Sequence, residues 1–466
     1  MAAYSGSKYL VFGVTGLANL ITAFSISSVG LALPTIAAGY QVSQNAISWL
    51  ALVYSLVPCC SLLFFGRLGD LYGYRRQTLF GFVFLAVVFL LTPILSVNLK
   101  ILIFFRCLQG LGYCILISIG QAILSRTFEA SKLGKAIGIN VMSVSIGVAL
   151  GPVIGGILIE HFSWQAIFLF KAPLCIAGFL LTLVVLKDDS MTGAIKPKKD
   201  WIGSFLFALS IGLLIIGLNF SDIWGWLSGQ FLICILGSVC SLGLFIKYEK
   251  RIEYPLMQLG FFKNAAFSLS NVVSVCMFLT NQMVIFLVPF FLVNILLLKS
   301  DHSGLIMLVF PIISMLFSPF GGGLTDKYGT RLPAMSGLFM TGTGCLIMSF
   351  LTESAGIMSV VGMLVFLGVG NAFSVPAINT AILSVVPREQ KGLASGMIGT
   401  MRNLGQTLGV TCGSVIIAVR QNVYAAGSLV ISNDVYLKAE RDALYFGVIV
   451  ICLALFLAYK IPEKKI

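Results

Sequence analysis

Between Lys8 and Arg67 lie 58 consecutive residues with no Asp, Glu, Lys or Arg, a stretch that leaves a soluble fold nothing charged to present to water. About 20 apolar residues suffice to cross the hydrocarbon of a bilayer as a helix, so this interval, broken by the polar turn at 39–43, holds two crossings. Twelve more charge-poor intervals follow, at 77–99, 107–125, 136–159, 172–186, 201–221, 223–246, 264–298, 303–325, 332–352, 354–387, 392–419 (interrupted by Arg402) and 443–459. The spacing predicts an all-α polytopic membrane protein with fourteen transmembrane helices. Composition agrees: of 466 residues, 58% are hydrophobic and 10% charged, against about 25% charged in soluble domains.

Placing the amino terminus in the cytoplasm puts 22 Lys and Arg in inner loops, 5 in outer loops and 3 (Arg106, Lys171, Arg402) within spans. That asymmetry predicts a plasma-membrane protein with both termini cytoplasmic. It also explains the net charge of +13 without a nucleic-acid partner, because the basic residues are scattered in small groups between apolar runs. The eleven cysteines all fall in apolar stretches, with no CxxC pair and no metal-ligand spacing, so neither a metal nor a cofactor is expected. The first span is read as its own insertion signal, with no removable leader.

An internal repeat fixes the plan. Gly66, Asp70, Tyr72, Gly73 and Arg75 recur as Gly322, Asp326, Tyr328, Gly329 and Arg331 at an offset of 256. Gly110, Gly112, Gly134, Gly138, Gly147, Gly151 and Gly155 recur as Gly368, Gly370, Gly392, Gly396, Gly405, Gly409 and Gly413 at an offset of 258. Eight helices separate the copies, so they are parallel. The expected division is a six-helix half at 1–186, a linker with two extra helices at 187–263, and a second six-helix half at 264–466, the plan of carriers that rock about a midplane site.

Several residues carry chemistry. Asp70 stands at an inner helix end, where a carboxylate caps a helix amino terminus or pairs with Arg75 or Arg76, making a contact that rocking would break. The alternative is a tight turn that only fixes topology. Gly147, Gly151 and Gly155 lie four apart on one helix face, allowing close backbone approach, and Pro152 bends the helix. Arg106 is isolated in an apolar span and has no counterpart in the second half, where Leu364 stands; an ionisable residue at that depth is a candidate functional group. Lys171 is expected a turn or two from the outer surface, within snorkelling reach.

These motifs resemble the major facilitator superfamily and, within it, the fourteen-helix drug:proton antiporter (DHA2-like) group. GRLGDLYGYRR at 66–76 resembles the loop between helices 2 and 3, Arg106-x-x-Gln109-Gly110-x-Gly112 the helix 4 motif, and Gly138-x8-Gly147-x3-Gly151-Pro152-x2-Gly155-Gly156 the antiporter motif of helix 5. LALPTIA (31–37), SWQAIFLFKAP (163–173) and RNLGQTLG (402–409) also resemble that group. The resemblance implies the major facilitator fold and a non-enzymatic, monomeric secondary transporter, with lipid, a small-molecule substrate and protons as its partners. It assigns Gly66, Asp70, Gly73, Arg75, Arg76, Asp326, Gly329 and Arg331 to gating. It gives Arg106 a role in proton transfer or substrate binding, and makes Arg402 a match to a family arginine. Helices 1, 4, 9 and 12 would form the cavity, whose polar residues include Ser25, Ser28, Arg106, Gln109, Asn281, Gln282 and Asn379.

One departure changes the expected chemistry. Nine residues before the proline of its ALP sequence, the resembling group has an aspartate where this chain has Ser25, and all 17 acids here can be assigned to loops, helix ends or the tail. Arginine does not release its proton, which leaves Asp70, Asp200, Asp222 or Lys171 as proton carriers. The expected substrate is a neutral, zwitterionic or anionic amphipath. The expected activity is efflux by alternating access with proton antiport, the alternative being a facilitator or an anion or neutral-solute carrier without proton coupling.

Overall fold

The computed structural model describes residues 8–42, 44–187, 200–225, 227–252, 259–298, 300–353, 356–387, 390–424 and 433–462; most of the linker between the sixth and seventh spans lies outside them. The chain runs through α1 (Lys8–Tyr40), α2 (Gln44–Tyr72), α3 (Tyr74–Leu95), α4 (Leu99–Thr127), α5 (Ala130–His161), α6 (Ala166–Val185), α7 (Trp201–Trp224), α8 (Gly229–Glu249), α9 (Ala265–Phe290), α10 (Ser300–Met307), α11 (Val309–Tyr328), α12 (Arg331–Ser349), α13 (Ile357–Ser384), α14 (Lys391–Tyr424) and α15 (Asn433–Tyr459). The fourteen sequence intervals correspond to α1–α9, the α10–α11 pair and α12–α15. Among the described residues, twelve helical segments are long and apolar enough to cross a bilayer, with α2 and α14 outside that set.

Two features differ from the sequence reading. The tenth span is interrupted at Leu308, between α10 and α11. Pro311 explains the break: it has no N–H to give the carbonyl four residues back, that of Met307. The last helix begins at Asn433, so Glu440 is a buried residue two turns inside it rather than part of an outer loop. Charges ended the apolar interval at 442, yet the helix holds them by pairing. Lys438 meets Asp434 at 2.6 Å, Arg420 meets Asp442 at 3.0 Å, and Arg441 Nε donates to the Ser349 carbonyl at 3.0 Å.

In the first half α1 packs on α5, α2 on α4 and α3 on α6; in the second, α9 packs on α14, α11 on α13, and α12 on both α13 and α15. The halves meet along α5–α11 and α2–α14. The inserted α7 and α8 pack on each other, and α7 leans on α2, which leaves this pair at the periphery. Large apolar side chains such as Phe80, Ile233, Phe339 and Ile449 stay exposed, as a surface solvated by lipid requires.

Candidate functional site

The repeated loops form a seam between the halves. Gly73 and Gly329, at equivalent positions after α2 and α11, adopt φ of +89° and +81°. Only glycine takes that conformation without strain, which accounts for both copies. The turns set Asp70 and Asp326 against helix starts of the opposite half. Asp70 accepts the backbone N–H groups of Gly392 and Leu393, both at 2.9 Å. Asp326 accepts those of Gly134 and Lys135 at 2.6 and 2.8 Å. Asp70 thus occupies the positive end of α14, while Asp326 binds the fifth and sixth residues of α5, just past its first turn, and each bond to the charge contributes roughly 1.5–3 kcal/mol. Of the two expected roles for Asp70, capping is the geometry found, across halves and not within its own loop.

Glycines let this seam close. A methyl group on Gly392 would come within 2.5 Å of the Gly66 carbonyl oxygen, and one on Gly134 within 2.7 Å of the Gly322 oxygen. Gly396 backs onto the Leu62 carbonyl and Gly138 onto that of Ser318, again equivalent positions. Tyr74 adds a hydroxyl donor to Asp70 at 2.7 Å. Arg75 Nη2 donates to the Leu183 carbonyl at 3.3 Å, Arg76 is exposed, and the Arg331 guanidinium stacks 4.0 Å over the Tyr459 ring.

Deeper in the first half, two cations converge on one hydroxyl. Arg106, 2% exposed, donates through Nη1 to Ser25 Oγ at 3.3 Å and to Gln109 Oε1 at 2.8 Å, and through Nε to the Leu50 carbonyl at 3.3 Å. Lys171, 0% exposed, donates from Nζ to the same Ser25 Oγ at 3.1 Å. Its ammonium also lies 4.6 Å from the ring centroids of Phe89 and Phe168, and the Arg106 guanidinium lies 4.1 Å over Tyr54. Gln109 Nε2 donates onward to Thr92 Oγ1 at 2.9 Å, which fixes the amide orientation. Among the described residues no carboxylate pairs with either cation. Two like charges held on one oxygen repel, and aromatic faces offset only part of that.

Lys171 therefore corrects the snorkelling expectation. It falls on the buried stripe Phe168, Lys171, Ala172, Cys175 of α6, whose spacing of three and four residues turns it inward. The face of α6 on which Lys171 falls, and not its depth along the span, decides its burial.

The glycines of α5 position Ser25. Gly147 lies against Leu20 and Ala23 of α1, Gly151 against Ser27 and Gly155 against Ser28, the last 3.1 Å from a methyl group placed there. Pro152 is within α5, and Gly156 has room, with Leu31 at 3.7 Å. Ser28 is buried and donates to the Phe24 carbonyl at 2.5 Å.

Arg402 of α14 reaches across the halves, donating from Nη2 to the Tyr113 hydroxyl at 2.8 Å. Tyr113 lies 6.0 Å from Tyr54, so an aromatic pair joins Arg402 to Arg106. Asn281 and Asn379 are buried, and Asn281 Nδ2 and Oδ1 and Asn379 Oδ1 meet no hydrogen-bond partner; Gln282 is half-buried. No hydrogen bond joins these three amides to the Arg106 cluster among the described residues. Nor do the described residues hold a cluster of His, Cys, Asp and Glu fit for a metal.

A family profile described as Major Facilitator Superfamily matches residues 15–274 and 270–459. A riboflavin transporter, RibZ, of Clostridioides difficile (strain 630) is 33% identical over 404 residues, covering 86% of each chain. The multidrug resistance protein Stp of Mycobacterium tuberculosis (strain CDC 1551 / Oshkosh) is 29% identical, over 88% of this chain and 76% of that one. Among solved structures, the proton:xylose symporter XylE superposes with a TM-score of 0.68 at 13% identity, covering 98% of this chain and 96% of that one.

Proposed function

The chain belongs to the major facilitator superfamily of multi-pass membrane transporters, and from that premise we propose that it exports small amphipathic organic compounds across the plasma membrane by alternating access, in exchange for protons. The observation that carries the reading is the exchanged pair of caps, Asp70 on Gly392 and Leu393, Asp326 on Gly134 and Lys135. Four charge-assisted bonds at one end of the bundle tie helices of opposite halves together, and rocking must break all four. Gly66, Gly73, Arg75, Arg76, Gly329 and Arg331 belong to the same latch. On this reading both termini and the latch face the cytoplasm. Residues 1–186 and 264–466 rock against each other, residues 187–263 carry the accessory helices, and the working unit is a monomer.

The relatives' names, a riboflavin transporter and a multidrug resistance protein, support an amphipathic organic cargo. Arg106, Gln109, Ser25, Asn281, Gln282, Asn379 and Arg402 are its proposed contacts. A specific observation favours a second reading, a carrier without proton exchange. Both ionisable side chains at Ser25 are basic, and protonated Lys171 and a bound anion reinforce each other there, so that proton and anion bind together rather than in competition.

Purified protein in liposomes with an internal pH dye and an imposed proton gradient separates the readings, using cationic, neutral and anionic amphipaths with Arg106→Ala as control. Compounds that discharge the gradient only through intact protein establish proton exchange. Compounds that cross while the gradient persists establish the second reading.

A further inference from the structure

Among the described residues no carboxylate pairs with the two basic side chains that meet at Ser25, and the hydroxyl they share is a poor substitute for a charge. Ser25 Oγ receives Arg106 Nη1 at 3.3 Å and Lys171 Nζ at 3.1 Å. All three side chains are at most 2% exposed. Burying one unpaired charge is already costly, and two of the same sign on one oxygen call for a counter-ion. The surrounding groups sharpen this. Gln109 spends its carbonyl on Arg106 and its amide N–H on Thr92, and Leu50 supplies only a neutral carbonyl. The Arg106 bonds run through Nε and Nη1, all to neutral oxygens. The rings of Tyr54, Phe89 and Phe168 provide apolar walls suited to an organic body.

We propose that Arg106, Lys171 and Ser25 form a site for one monovalent anionic group, a carboxylate carried by the organic cargo or a small inorganic anion, so that the ligand brings the negative charge the protein lacks. Calling the anion cargo rests on the transport reading above; the site itself does not. The geometry suits a carboxylate, whose two oxygens can accept from the guanidinium fork and the ammonium at once. Lys171 becomes a ligand-contacting residue, and Ser25, where the resembling group has an aspartate, brings no negative charge of its own to compete with the anion.

The test uses full-length protein in nanodiscs, its thermal unfolding followed against 2-naphthoate, the neutral isostere 2-naphthamide, and sodium chloride replacing sodium sulfate at constant ionic strength. Bound ligand raises the unfolding midpoint in a saturable way. We expect 2-naphthoate to bind at least about tenfold more tightly than 2-naphthamide, and Lys171→Gln to weaken it by about tenfold, the size of one lost charged hydrogen bond. Ser25→Asp supplies the counter-charge internally, so this variant should be at least as stable as the parent and blind to 2-naphthoate. Chloride competing with 2-naphthoate identifies a small inorganic anion as an occupant; no competition identifies the cargo's own carboxylate. Equal stabilisation by acid and amide, or 2-naphthoate binding unchanged in Ser25→Asp, overturns the proposal, and the second outcome is readable even if Lys171→Gln does not fold. Since binding is read without flux, a protein that binds 2-naphthoate but moves nothing in liposomes loses the transport reading and keeps the site.

Discussion

The seam and the buried cation pair obey opposite symmetries. At the seam the backbone contacts are copied: Asp70 with Asp326, Gly392 with Gly134, Gly66 with Gly322, Leu62 with Ser318. At the cation pair nothing is copied, since the position equivalent to Arg106 is Leu364, a 1% exposed core residue. A latch must hold and release two bodies of equal size, which a duplicated contact does with balanced strength. A binding site needs one geometry only, and a second buried cation cluster would add desolvation cost without recognition.

That contrast can be broken experimentally. The largest effect is expected at the unpaired site. Arg106→Ala leaves the Gln109 carbonyl without its donor and Ser25 with Lys171 alone, and should reduce cargo binding about 100-fold, whereas Leu364→Ala should lower stability by about 2–5 kcal/mol and leave affinity unchanged; flux per folded protein and unfolding midpoints check both. Next come the seam glycines. Gly392→Ala and Gly134→Ala should each prevent closure and stop turnover, to an equal extent if the symmetry is functional, as read by cross-linking of cysteines introduced at the two sides. Smaller and unequal effects are expected from the caps. Asp70→Asn should shift the open-to-closed ratio about tenfold, and Asp326→Asn less, because Asp70 alone of the two accepts a tyrosine hydroxyl, from Tyr74. Smallest is Gly156→Ala, within about twofold in flux, since the added methyl finds its nearest neighbour at 3.7 Å. Gly151→Ala should do markedly worse, because a methyl there collides with Ser27.

The sequence made the duplicated features legible because duplication is itself a signal. Matching loops announced Asp70 and Asp326, and the glycine offset announced Gly134 and Gly392. It did not reveal that the copies exchange partners, since a repeat specifies equivalent elements and not which ones touch. The unduplicated features were legible only in part. Arg106 stood out because charge is rare in its span. The burial of Lys171 is not legible from its depth along the helix, which says nothing of the face it occupies; its inward orientation depends on α6 packing against α3 and α1. Glu440 lies outside the apolar interval and yet inside the helix, because charge density bounds the interval more tightly than it bounds the helix.

The glycine lining of the seam has a thermodynamic consequence. By letting the backbones approach, these glycines bring buried apolar side chains of both halves into one core, among them Leu63 of α2, Leu133 and Ile137 of α5, and Leu393 and Met397 of α14. Hydrating apolar surface raises heat capacity, so opening this seam should carry a positive heat-capacity change. The conformational equilibrium would then follow a curved van't Hoff line, and the balance between states would shift as the carrier is cooled.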